Sequence, residues 1–279
     1  SMELLISIGT IGLILLFWFF LGPIRRRRRR AEIMNTPFPA EWDHLLAERF
    51  PLYSRMPATL RQDLQDRIKV FLEEKRFIGC EGLEISDEIR LIIAAQACLL
   101  IINRKTRYYP KLKSIYVYPT AYFSNQQVYR NGIIFEDSIP RLGESWNSGE
   151  LVLAWDSAEF GALNMLDGGS VVYHEFAHQL DQEDGIPDGA PILKNRAAYI
   201  SWARVLQKEY DILKNRKKKH RKTLLNKYGT TNPAEFFAVA SEAFFEKPLQ
   251  LQRKKPELYE ELKSYYRTDP AQWFRNEKR

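Results

Sequence analysis

Gly168-Gly169-Ser170-Val171-Val172-Tyr173-His174-Glu175-Phe176-Ala177-His178-Gln179-Leu180-Asp181-Gln182-Glu183-Asp184 is the stretch from which the fold is read. It predicts a helix. The glycine pair breaks what precedes it, and Ser170 suits an N-cap. Tyr173, Phe176, Ala177 and Leu180 are apolar at helical spacing. Asp184-Gly185-Ile186-Pro187 is a stop signal. His174 and His178, four residues apart, then share one face. Two imidazoles so placed can hold one zinc ion at ~2.0–2.1 Å. Glu175 lies further round the helix, outside the histidines' lobe, yet within reach of a water at the metal whose proton it can take. The same three residues could sit on an ordinary helix, but two of the chain's four histidines fall in this motif.

A catalytic zinc needs a third protein ligand and a position left for water. The two cysteines, Cys80 and Cys98, form no Cys-x-x-Cys pair. Thiolate ligation and a disulfide framework are therefore not expected. His44 and His220 lie in unpromising contexts, which leaves carboxylates. Asp181 is one candidate, at the end of the same helix. The other lies in Asn232-Pro233-Ala234-Glu235-Phe236-Phe237-Ala238-Val239-Ala240-Ser241-Glu242. There Asn232 caps a second helix that Pro233 opens. Glu235 falls on its first turn and Glu242 two turns later on the same side. Acids on a helix this apolar call for partners inside the protein. Glu235 is the preferred ligand, although it also occupies the capping-box position. Glu242 reads as an outer group that orients a histidine. Asp181 keeps a similar outer role beside its candidacy as ligand.

Outward from these helices the chain has 279 residues, 45% of them hydrophobic, enough for one large domain with a real core. Its net charge is +7, much of it from Arg25 to Arg30. The remainder is close to neutral for its size, so nucleic acid is not an expected partner. Leu4 to Leu21 carries no charge. At 1.5 Å per residue it covers ~27 Å and can just span a bilayer core. Residues 1–24 are accordingly expected to form a single transmembrane signal-anchor, with the lipid bilayer contacted through residues 4–24. Residues 25–36 then form a basic juxtamembrane linker. Arginines after the apolar run predict a body, residues 37–279, on the cytoplasmic side of the inner membrane.

Residues 31–56 read as a Pro-containing connection. Helices are expected over Pro57 to Arg76, Asp87 to Asn103, Pro191 to Arg216 and Glu257 to Arg267. Strands are expected at Lys113 to Tyr118, Gly132 to Phe135 and Leu151 to Trp155, with a short one possible within Phe77 to Ile85. The strand at Leu151 precedes the His174 helix and is either core or a sheet edge that pairs with an extended substrate. The basic run Lys214 to Lys222 reads as an exposed helix end.

These residues carry a resemblance. Glu81-Gly82-Leu83-Glu84-Ile85, Ala94-Ala95-Gln96-Ala97-Cys98-Leu99-Leu100, Val172 to Asp181 and Asn232 to Val239 resemble the Mlc titration factor A (MtfA) family of zinc peptidases from about residue 36 onward. At the site the chain is also similar to the catalytic domain of anthrax lethal factor, which has the same His-Glu-Phe-x-His and a Tyr-x6-Glu-Phe-Phe-Ala segment. The resemblance implies a zincin-like domain with His174, His178 and Glu235 as zinc ligands and Glu175 as base. It also implies Tyr228 as donor to the developing oxyanion. Lethal factor has a second glutamate four residues after its ligand. Val239 stands there in this chain, and Glu242 is offered instead.

The expectation is an α+β fold, its two site helices packed beneath a small mixed sheet. The expected function is a membrane-anchored zinc metallopeptidase acting on a peptide or protein. The rival is a tethered binding module that sequesters a transcriptional regulator, as soluble relatives do, with zinc structural.

Overall fold

A computed structural model of the protein describes residues 22–275, apart from 105–107, 131–132, 142, 147–148 and 165–167. Helix α1 covers residues 22–35. It is followed by α2 (Ala40–Arg49), α3 (Pro51–Arg55), α4 (Ala58–Glu74), strand β1 (Arg76–Gly79) and α5 (Asp87–Leu99). Five strands come next: β2 (Ser114–Tyr118), β3 (Tyr122–Arg130), β4 (Ile133–Arg141), β5 (Gly143–Trp146) and β6 (Glu150–Ala154). Then come α6 (Trp155–Leu163), α7 (Val171–Asp181), α8 (Arg196–Lys218), α9 (Pro233–Glu246), α10 (Pro248–Lys254), α11 (Pro256–Tyr266) and α12 (Pro270–Arg275).

The fold is mainly helical around a small mixed sheet, which fits the α+β class. Sheet order is β1-β2-β6-β5. β1 and β6 both run parallel to β2, in registers Phe77 to Ile115 and Ile115 to Leu151. β5 runs antiparallel to β6, and β3 and β4 form a separate hairpin. Ile115, Val117, Leu151 and Leu153 are buried. Lying between β2 and β5, β6 has no free edge, so the edge reading of Leu151 to Trp155 is corrected. Its near-continuous apolar sequence suits a strand covered on both sides.

Two helices are apolar nearly all round and lie in the core, as such helices must. In α5, Ser86 Oγ accepts from Ile89 N at 3.2 Å, and Asp87 and Glu88 favour the helix start. Residues Leu91 to Leu99 are all buried. In α9 everything from Phe236 to Glu246 is buried. Rings lock the helices together. Phe176 of α7 meets Tyr109 at 4.8 Å and Phe71 of α4 at 5.8 Å. Tyr173 meets Phe245 of α9 at 5.3 Å. Trp202 of α8 meets Phe237 at 5.6 Å, and Tyr266 of α11 meets Phe244 at 5.5 Å.

The N-terminal expectation is corrected. Among the described residues no helix is long and apolar enough to cross a membrane. The apolar run at residues 4–21 lies outside the described residues. The described helix nearest that run, α1, carries all six arginines, which hydrocarbon would exclude. The bilayer contact expected through residues 4–24 has no support in the fold. The stretch read as a linker is helical because it docks on α4: Arg29 pairs with Glu73, and Arg30 grips Glu74 through two bonds of 2.7 Å. Arg30 also lies 4.5 Å over the Tyr108 ring. Within the stretch read as a connection, α2 and α3 form as well. Cys80 and Cys98 are both free, Cys98 buried in α5.

Candidate metal centre

The start of α7 is fixed by its cap. Ser170 Oγ accepts from Tyr173 N at 3.3 Å and donates to Gln96 Oε1 at 2.8 Å. Gln96 is fully buried in α5 and donates in turn to Ala158 O at 3.1 Å. Sequence reasoning gave Gln96 no role. Its one signal is an amide inside an otherwise apolar run. The helix ends in a short 3-10 turn, and Gly185 takes φ +103°, the left-handed geometry that favours glycine. The start of α9 is fixed likewise: Asn232 Oδ1 accepts from Glu235 N at 2.9 Å, and Pro233 is the first helical residue.

With both starts fixed and α7 packed on α9, three side chains meet. His174 Nε2 lies 2.9 Å from Glu235 Oε2 and 3.2 Å from His178 Nε2, and His178 Nε2 lies 3.4 Å from Glu235 Oε2. Ligands held tetrahedrally at ~2.0–2.1 Å stand ~3.3 Å apart, so this triangle has the dimensions of three ligand atoms around one zinc ion. Among the described residues it is the one group of histidines and acids with metal-binding proximity. All three are mostly shielded from water. Three protein ligands leave a fourth position, the pattern of a catalytic rather than a closed site. The Glu235 carboxylate turns to the histidines, not back along its own helix.

Glu242 is buried, and its Oε1 lies 2.5 Å from His174 Nδ1. The carboxylate therefore holds the far nitrogen of the ring, which fixes its rotation and tautomer. Burial alone would lower the affinity of His174 for its proton, but the hydrogen bonds to Glu235 and Glu242 raise it well above the usual range. Burial likewise raises Glu235, yet bonds to His174 and then His178 bring it down to about 2. Burial wins at Glu242, whose pKa is raised despite His174. Glu242→Ala is expected to weaken metal binding ~10–100-fold, as loss of an outer partner usually does. Competition against a chromophoric chelator measures it.

Asp181 is not in this group. It is fully buried, and its Oδ2 accepts from Gly189 N at 2.9 Å. Gly189 O accepts from Trp202 Nε1 at 2.9 Å. Gly189 has φ +79°, and a Cβ there would stand 2.4 Å from Pro233 O. One bare residue thus ties the end of α7 to α8 and to the start of α9. No local signal in Asp188-Gly189-Ala190 announces that clamp. Burial raises Asp181 to about 6, above the ~3.9 of an unfolded chain. A carboxyl raised on folding gives its stabilisation below the unfolded value and loses it as pH climbs through the folded one. Asp181→Asn keeps an acceptor for Gly189 without that titration. Relative to the wild type it should gain roughly 2 kcal/mol between pH 4 and pH 7. Urea melts at the two pH values give the difference.

Glu175 is buried in α7, 6% exposed. Tyr228 is 54% exposed, and its ring centre lies 6.0 Å from that of His174. It sits in a 3-10 turn, Lys227–Thr230, where Asn226 Oδ1 accepts from Tyr228 N at 3.0 Å. The turn lies against α9: a Cβ on Gly229 would stand 3.3 Å from Val239 Cβ. His44 and His220 take no part in the group.

Comparison with known proteins points the same way. The profile of a family described as glucose-regulated metallo-peptidase M90 matches residues 24–267. An uncharacterized protein of Synechocystis sp. is 38% identical over 262 residues, 93% of this chain and 94% of that protein. Mlc titration factor A of Klebsiella pneumoniae subsp. pneumoniae is 27% identical across 85% of this chain and 88% of its own. The Mlc titration factor A of Salmonella agona is 28% identical, with coverages of 86% and 90%.

Proposed function

The chain belongs to the glucose-regulated M90 metallo-peptidase family, and from that premise we propose that it is a zinc-dependent peptidase that hydrolyses peptide bonds in a peptide or protein substrate. The observation that carries the reading is the triangle of His174, His178 and Glu235, whose edges match the ligand spacing of one zinc ion. His174, His178 and Glu235 would hold the zinc ion, which would supply Lewis acidity at the scissile carbonyl and a water acidified toward neutrality. Glu175 takes the proton of the attacking water and later hands it to the leaving amine. The Tyr228 hydroxyl donates to the oxygen on which charge develops, a contribution of ~3–4 kcal/mol for one such donor. Glu242 keeps His174 in the tautomer that presents Nε2.

The exposure of Tyr228 supports the catalytic reading, because a structural metal needs no half-exposed phenol beside it. The name of the Klebsiella and Salmonella relatives, Mlc titration factor A, keeps a regulator-binding role as the second reading. The test is a peptide-library digest with the protein as purified, stripped by chelator, and reloaded with zinc. Cleavage that disappears and returns with the metal is expected. Equal cleavage in all three, or none, contradicts the proposal.

A further inference from the structure

We propose that the basic cavity between α1, the end of α4 and the turn before β2 is a binding site for a phosphate-bearing anion of more than one charge. The cavity opens to solvent and has a volume of about 540 Å³, within the ~300–1,000 Å³ usual for small-molecule sites. Arg25, Arg26, Arg29, Arg30, Lys75 and Lys113 line it. Its two acids, Glu73 and Glu74, are engaged by Arg29 and Arg30. Among the described residues, Arg25 and Arg26 pair with no carboxylate.

The floor repeats the imbalance. Lys75 is 7% exposed, and its Nζ donates to Tyr109 O and Leu112 O, both at 2.7 Å. These are neutral carbonyls. Burial lowers its pKa to about 8; Glu74 opposes this, while Arg30 and Arg26 add to it. The pocket is short of negative charge, and a concave wall of low dielectric concentrates such a field. Guanidinium forks fit phosphate oxygens two at a time, which favours phosphate over a simple halide. Several cations around one mouth suit a polyvalent anion. Ile33, Pro110 and Leu112 close the remaining wall with apolar surface.

A free phosphoanion and a lipid headgroup would present the same chemistry, so the experiment has two arms. Titration calorimetry of the full chain uses inorganic triphosphate, and sedimentation uses phosphatidylglycerol vesicles with and without competing triphosphate. Saturable triphosphate binding is expected. Arg25→Glu with Arg26→Glu should weaken it about tenfold or more, while Lys218→Glu with Lys219→Glu, the same change in net charge on the exposed end of α8, should leave it within about twofold. Triphosphate binding without vesicle binding identifies a free anion. Vesicle binding that triphosphate displaces identifies a headgroup. Both arginines are exposed, so the thermal midpoint should hold. If the double reversal unfolds the chain, Arg26→Gln alone should still weaken binding about threefold. No binding in either arm, or equal losses in the two double variants, overturns the proposal.

Discussion

Replacing Glu175 by glutamine is expected to abolish peptide hydrolysis and leave metal binding intact. The change removes one negative charge and keeps the shape of a buried side chain. A positioned base or acid is worth ~10²–10⁴ in rate, and here one group serves both proton transfers, so the loss should fall at the upper end of that range. Glu175 is outside the ligand triangle, so metal stoichiometry and thermal midpoint should stay at the wild-type values. Turnover of a cleaved library peptide, alongside metal analysis of the same preparation, reads both. Undiminished turnover would remove Glu175 from the mechanism. If a regulator-dependent cellular effect survives while hydrolysis is lost, binding is the function and hydrolysis is not.

The second large effect concerns Glu235. Glu235→Ala should weaken zinc binding more than the ~10–100-fold that an outer partner costs, because it removes an atom of the triangle itself. It leaves two imidazoles four residues apart on one helix, too few for a site with only one open position. Asp181→Asn is the matched control. It lies at the end of the same helix as the histidines, yet its carboxyl turns to Gly189 N, so zinc affinity should be unchanged. Retention of zinc by the first variant and its loss by the second would reverse the ligand assignment. Chelator competition on all three proteins separates these outcomes.

These expectations differ in how far the sequence alone supports them. Both site helices were legible because their ends are local chemistry: Ser170 and Asn232 as caps, Pro233 at the first turn, Gly185 past the last. The four-residue spacing of His174 and His178 is local as well. The approach of Glu235 to His174 spans sixty-one residues, and no periodicity encodes it. It came from eliminating other donors and from resemblance, which is why Asp181 stayed open until its carboxyl was seen to face Gly189. The clamp at Gly189 was illegible for the same reason: its three partners come from distant segments.

Misread elements share a cause. Ala40–Arg49 scatters four charged residues along its length and buries only Leu46, so its pattern gives little amphipathic signal. Six consecutive arginines read as a linker because the partners of the last two, Glu73 for Arg29 and Glu74 for Arg30, lie on another helix. Gly143-Glu144-Ser145-Trp146 has no apolar alternation to announce a strand, and without β5 the neighbouring β6 was open to being read as an edge.

The most direct test of the central claim is X-ray absorption on the zinc-loaded protein with a metal count on the same sample. The account predicts one zinc per chain, bound by nitrogen and oxygen at ~2.0–2.1 Å, two of the scatterers being imidazoles. Sulfur at ~2.3 Å, or a chain that retains no zinc after loading, would contradict it.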